Sequence, residues 1–172
     1  MRVRQRAFCW SSVCTSSDDV AVTLMLVLNV SPRHPTPRAL RPAVAVLRGG
    51  GVIVYPTDTA YALGGRYDSP SVIRRVLAIK GRQDRKFTLV AASLAQVARH
   101  FRLPTPSRRL ALRYWPGPLS LAVNSRFAVR VPASRVARTL ARLAGAPLVA
   151  TSANRSGGQT PYTVREVIRQ LG

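Results

Sequence analysis

Both lysines of the chain, Lys80 and Lys86, fall in one seven-residue stretch, Lys80-Gly81-Arg82-Gln83-Asp84-Arg85-Lys86, although 25 of the 27 basic residues are Arg. A compact ammonium beside planar guanidinium groups suits a phosphate or carboxylate. Two more segments put small hydroxylated residues just after predicted strands: Pro56-Thr57-Asp58-Thr59 and Thr151-Ser152-Ala153-Asn154. In open α/β sheets the ligand crevice lies beyond the carboxyl ends of the strands. Two hydroxyl-rich loops and one cationic loop therefore make a candidate anion pocket. Each segment also has a plainer reading. Lys80 sits near the end of a predicted helix, where the dipole favours a cation. Ser and Asn after a strand commonly cap the next helix, and the 56–59 segment reads equally as a turn. Trp115-Pro116-Gly117-Pro118 is rigid and aromatic, and alone says only that a turn lies beside a core.

Composition excludes several other chemistries. The six acids are Asp18, Asp19, Asp58, Asp68, Asp84 and Glu166, too few for a multi-carboxylate metal cage. A paired-carboxylate glycosidase would have to draw both groups from that set. His34, His100, Cys9 and Cys14 are the only imidazoles and thiols, and their spacing fits no zinc pattern, so no metal ligands are assigned. The two Cys lie in a polar stretch and give no disulfide framework, which implies a reducing, cytoplasmic setting. No Ser/His/Asp or Cys/His nucleophile set is evident. The net charge is +21 on 172 residues. Anionic substrates or nucleic acid are natural partners for such a chain, and an Arg-rich composition with no partner is the alternative.

The elements that must hold these segments alternate along the chain. Residues 24–30 read as a strand and 31–37 as an extended, proline-rich connection. Leu40, Ala43, Val44 and Leu47 share one helical face, closed by Gly49-Gly50-Gly51. Residues 52–55 form a strand stopped by Pro56. Ser69-Pro70 opens a helix whose stripe holds Ile73, Val76 and Leu77, with Lys80 next on that stripe and Gly81 as its stop. Strand 87–92, a short helix capped by Ser93 and running to His100, and a helix from Thr105-Pro106 toward Tyr114 follow. Residues 119–123 and 127–131 form a hairpin, 134–144 a helix closed by Gly145, 148–150 a buried strand, and 163–171 a last helix. The pattern predicts an α/β domain over 25–172, helices packed on a largely buried sheet, with an antiparallel pair. Residues 1–24 read as a disordered extension or as sequence upstream of a start at Met25. Without them the net charge is still +20, since they remove three Arg and two Asp. The apolar run 20–30 is broken by Thr23 and is too short to span a membrane.

Taken together and in order, several strings resemble the YrdC/Sua5 family. They are Gly-Gly-Val-Ile-Val-Tyr-Pro-Thr-Asp-Thr (50–59), Tyr61-Ala62-Leu63-Gly64, Lys80-Gly81-Arg82, Trp115-Pro116-Gly117-Pro118-Leu119-Ser120, Ala128-Val129-Arg130-Val131-Pro132 and Ser152-Ala153-Asn154-Arg155-Ser156-Gly157. The Lys-x-Arg and Ser-x-Asn pair is that family's active-site signature. The 29–38 segment and Phe87-Thr88-Leu89 are similar to its YciO branch. Here Ala62 replaces the usual glycine, Gln83 replaces the proline after Lys-x-Arg, and the segment between Ser120 and Ala128 is short.

The resemblance implies a twisted, mixed parallel and antiparallel sheet flanked by helices around a positively charged cavity. It implies synthesis of threonylcarbamoyl-adenylate from L-threonine, bicarbonate and ATP, with pyrophosphate released, for threonylcarbamoyladenosine in tRNA. Lys80 and Arg82 would be catalytic and bind the phosphates, with Lys86, Pro116, Arg130, Ser152 and Asn154 completing the nucleotide site. Thr57, Thr59, Ser120 and Ala128 would receive threonine. Magnesium would arrive with ATP. Contact with tRNA or double-stranded RNA and with transfer proteins is the expected partnership, and an RNA-binding module without synthesis is the alternative. The family's sequence runs on past the position of Gly172 to a glycine-rich turn and a further strand, so a C-terminally short domain is expected.

Overall fold

The computed structural model describes residues 5–12, 23–84 and 86–171, with side chains from residue 26 onward. Eight strands join in one sheet. In chain order they are β1 (Gln5–Ser12), β2 (Thr23–Val30), β3 (Val52–Pro56), β4 (Tyr61–Gly64), β5 (Phe87–Val90), β6 (Leu121–Ala122), β7 (Phe127–Arg130) and β8 (Leu148–Ser152). Their spatial order is β2-β1-β3-β4-β8-β5-β7-β6. Among these pairs only β5 and β7 run parallel, and the other six neighbours are antiparallel. The sheet is thus mixed, as predicted, but far more antiparallel than the alternation of elements suggested.

Six helices cover it: α1 (Pro37–Arg48), α2 (Pro70–Lys80), α3 (Leu94–His100), α4 (Thr105–Tyr114), α5 (Arg135–Ala144) and α6 (Val164–Leu171). Successive residues of β3 point to opposite faces, as a pleated strand requires. Val52 and Val54 join Val72, Ile73 and Val76 of α2 and Val167 and Leu171 of α6. Ile53 and Tyr55 join Leu40, Ala43, Val44 and Leu47 of α1 and Val136, Ala137 and Leu140 of α5. Two cores therefore sandwich the sheet, with α1 and α5 on the face opposite α2 and α6.

Local chemistry explains the helix ends. Thr36 caps α1 by accepting from the Ala39 amide at 3.3 Å, and Ser134 caps α5 by accepting from Ala137 at the same distance. Glu166 accepts from the Tyr162 and Thr163 amides while Thr163 accepts from Glu166, a reciprocal cap for α6. Ser69 precedes α2 as predicted, but its hydroxyl pairs with Ser71 rather than capping the helix. Gly81 ends α2 at φ 64°, a left-handed turn that glycine adopts without penalty.

Three predictions change. Residues Gln5–Ser12, expected to lack structure, form β1 between β2 and β3, and residues 23–24 open β2; residues 1–4 and 13–22 of the extension lie outside the described residues. Residues 61–64, predicted only as a motif, form β4. Thr151 and Ser152, predicted as loop, are the last residues of β8. Among the described residues no helix is long and apolar enough to cross a membrane.

Candidate functional site

Lys80 is the last residue of α2 and continues the row begun by Val72 and Val76, four residues apart, so the helix carries it under cover. The residue is only 4% exposed. The ammonium donates to the Asn154 carbonyl and to Asn154 Oδ1, both at 2.7 Å, to the Ser152 carbonyl at 2.9 Å and to Ser152 Oγ at 3.3 Å. Three N–H bonds thus face four oxygens, none of them a carboxylate. The Lys80 carbonyl accepts from the Ser156 amide at 3.0 Å, so main chain and side chain together fasten the end of β8 to the end of α2. Ser152 Oγ donates to Asn154 Oδ1, and Asn154 Nδ2 donates to the Gly158 carbonyl. Burial first, and the nearby Arg82 charge second, push the Lys80 ammonium down to about 8.

Arg82 turns back on its own loop. Its Nη2 donates to the Lys86 carbonyl at 3.1 Å, and its guanidinium carbon lies 5.1 Å from the centre of the Phe87 ring. Its Nε is buried with no hydrogen-bond partner among the described residues. Beside it opens a cleft of about 670 Å³ lined by Arg74, Leu77, Gly81, Arg82 and Gln83. Lys86 is exposed, with its amide held by Asp84 at 3.0 Å.

A second group forms around Arg130, the last residue of β7. The residue is 8% exposed. Its Nη2 donates to Thr59 Oγ1 at 3.0 Å and lies 3.4 Å from Asp58 Oδ1, while Nε is buried and unpartnered. Asp58 also accepts from the Ala133 amide at 3.0 Å, and the Ser134 hydroxyl donates to the Pro56 carbonyl. These bonds draw the segment after β7 onto the β3–β4 turn. Thr57 shapes that turn: its hydroxyl donates to the Ala60 carbonyl at 2.6 Å and accepts from the Thr59 and Ala60 amides. Burial raises the Tyr55 phenol nearby, against the lowering effect of Arg130.

The two groups are neighbours through the sheet. Ala62 pairs with Ser152, and the Ala153 amide donates to the Tyr61 carbonyl at 3.0 Å. Lys80, Ser152 and Asn154 are therefore gathered, as are Thr59 and Arg130, with Thr57 beneath them. Ala128 is half-buried in β7 between Thr88 and Ala122. Pro116 and Ser120 are exposed in the segment after α4, where Trp115-Pro116 is cis and Trp115 Nε1 donates to the Leu119 carbonyl at 2.7 Å. No hydrogen bond joins Pro116, Ser120 or Ala128 to either group among the described residues, and Lys86 is reached only through its carbonyl, by Arg82. Asp58, which the sequence reading does not assign, is one of six acids, stands between Thr57 and Thr59, and joins this group through Arg130. Among the described residues no three His, Cys, Asp or Glu side chains gather to ligate a metal.

A family model for the Sua5/YciO/YrdC domain, described as "Telomere recombination", matches residues 45–172. The threonylcarbamoyl-AMP synthase of Chromobacterium violaceum is 40% identical over 149 residues, 78% of this chain and 77% of that protein. The synthase of the same name from Nitrosococcus oceani is 37% identical over 77% of this chain and 80% of its own length. Among solved structures, Pyrococcus abyssi Sua5 complexed with L-threonine superposes with a TM-score of 0.73 at 30% identity, over 80% of this chain and 45% of the Sua5 chain. Escherichia coli YciO superposes with a TM-score of 0.67 at 28% identity, over 79% of this chain and 73% of its own. The chain thus spans under half the length of the Sua5 structure and about three quarters of the shorter synthases.

Proposed function

The chain belongs to the Sua5/YciO/YrdC family, and we propose that it forms threonylcarbamoyl-AMP from L-threonine, bicarbonate and ATP, releasing pyrophosphate, for the threonylcarbamoyladenosine modification of tRNA. The observation that carries this reading is the Lys80 cluster. A buried cation surrounded only by neutral oxygens keeps its charge available to an incoming phosphate. In the proposed reaction the threonine amine bonds to the bicarbonate carbon with loss of water. A carbamate oxygen then attacks the α-phosphorus as the bond to the β-phosphate oxygen breaks and pyrophosphate leaves. Such a nucleotidyl transfer asks for alignment and charge stabilisation rather than a protein nucleophile. Lys80 and Arg82 face the phosphates in this reading. Ser152 and Asn154, fixed by Lys80, hold the nucleotide, with Pro116 and Lys86 at its margin. Thr57, Thr59, Ser120 and Ala128 line the threonine side, and Arg130 neutralises a carboxylate.

Magnesium belongs to the nucleotide here. Asp58 is already bonded to Arg130 and the Ala133 amide, and no carboxylate cage forms among the described residues. The ion would ride on phosphate oxygens, where it withdraws negative charge. The reading places the protein in the cytoplasm. The net charge favours a second reading, an RNA-binding module without synthesis. The test is incubation with ATP, magnesium and bicarbonate, with and without threonine. Threonine-dependent pyrophosphate release is expected. No such release, with RNA binding that weakens steeply as salt rises, selects the second reading.

A further inference from the structure

Away from the Lys80 loop, a cleft of about 400 Å³ opens between α5 and the connection before α1. It is lined by Arg33, His34, Arg135, Arg138, Thr139 and Arg142. Arg135, Arg138 and Arg142 recur at helical spacing on one side of α5, and their apolar neighbours Val136, Ala137 and Leu140 are buried against the sheet. Arg33, Arg135 and Arg142 are exposed, and Arg138 is half-buried with a shielded Nε that has no partner among the described residues. Arg135 donates to the Arg33 carbonyl at 2.9 Å, which brings the connection against the helix without neutralising either charge. No Asp or Glu occurs in residues 31–57 or 131–165. Asp58 reaches only the start of α5 and is paired with Arg130.

We infer that this face, made by α5 with its neighbour α1, binds the phosphodiester backbone of RNA. This rests on RNA being a partner of the chain, and it places the contact across the sheet from Lys80. Four guanidinium groups without a carboxylate repel one another, and an anion relieves that repulsion. A free phosphate could satisfy two or three of them. The row is longer than that: residues 135–142 span about 10 Å of helix. α1 packs against α5 and carries exposed Arg38, Arg41 and Arg48, of which Arg48 reaches α5 by donating to the Leu143 carbonyl at 2.9 Å. A charge row carried over two helices matches a chain of phosphates rather than one small ion.

The test is binding of a short RNA duplex of arbitrary sequence to the full chain, followed by fluorescence anisotropy over a series of salt concentrations. The triple variant Arg38→Gln, Arg138→Gln, Arg142→Gln should weaken binding roughly tenfold or more and lower the steepness of the salt dependence by about 2 to 3. The corresponding triple change to Lys should restore most of that steepness. Thermal melting and threonine-dependent pyrophosphate release should stay at the wild-type level. A control triple on α3 and α4, Arg99→Gln, Arg108→Gln, Arg109→Gln, should change binding little. The inference is overturned if the α1/α5 triple binds like wild type, or if the control triple loses as much. It is also overturned if inorganic pyrophosphate displaces RNA beyond its ionic-strength effect, since the cleft is then a small-anion site. Loss of pyrophosphate release in the wild type would strike the synthase reading and leave this one standing.

Discussion

Lys80→Met lowers threonine-dependent pyrophosphate release by about a hundred- to a thousandfold, the loss usual for removing one preorganised donor from developing charge. Methionine keeps the length of the apolar stem on the Val72–Val76 row and removes only the ammonium. The chain stays folded because two effects oppose each other. The variant leaves the Ser152 and Asn154 oxygens without their donor, costing about 1–3 kcal/mol. It also removes a cation whose burial is unfavourable. A second measurement separates this assignment from a merely structural one. The ammonium titrates near 8 in the folded chain and at 10.5 when exposed. Between those values the unfolded chain holds a proton that the folded chain has lost, so stability rises with pH. The urea-unfolding free energy of wild type, minus that of Lys80→Met, should therefore climb between pH 8 and 10.5. Below pH 8 the difference should be flat. Undiminished release would show that Lys80 does not serve the phosphates, and a flat profile throughout would show that its ammonium is not desolvated.

Gly64→Ala should destabilise the chain by on the order of 4 kcal/mol or prevent folding. A Cβ at Gly64 would lie 1.7 Å from the Val149 carbonyl oxygen, so β4 and β8 could not keep their approach. That approach sets Ser152 beside Ala62 and hence the Lys80 cluster beside the β3–β4 turn. Gly81→Ala is the control. Its Cβ would meet nothing within 4 Å, and only the left-handed φ of 64° resists it, worth about 1–2 kcal/mol. Urea titration of the two variants distinguishes steric closure from backbone preference. Equal losses would mean that β4 and β8 do not pack this tightly.

Much of this arrangement was legible in the residues. The apolar faces of α1 and α5 follow from helical spacing, and Lys80 could be placed on the α2 stripe before any contact was seen. The elements that escaped were the ones defined by distant partners. β4 is four residues long, ends in glycine, and owes its strand form to pairing with β3 and β8. β1 pairs with β2 and β3, and its short sequence, an apolar centre between polar ends, does not announce those partners. The same limit applies in the site. The Lys80 loop and the 151–154 segment both read as anion-binding candidates. That the lysine would spend its protons on that very segment depends on a contact 72 to 74 residues away in sequence. Arg130 reads from its motif as a pocket cation, whereas its pairing with Asp58 depends on the fold bringing the end of β7 to the β3–β4 turn.

The most direct measurement is mass spectrometry of the product formed from ATP, L-threonine and carbon-13 bicarbonate. The expected product is an adenylate carrying threonine and one labelled carbon, with pyrophosphate in equal amount. ATP consumption that ignores threonine, or an adenylate without the bicarbonate carbon, would contradict synthesis of threonylcarbamoyl-AMP by this chain.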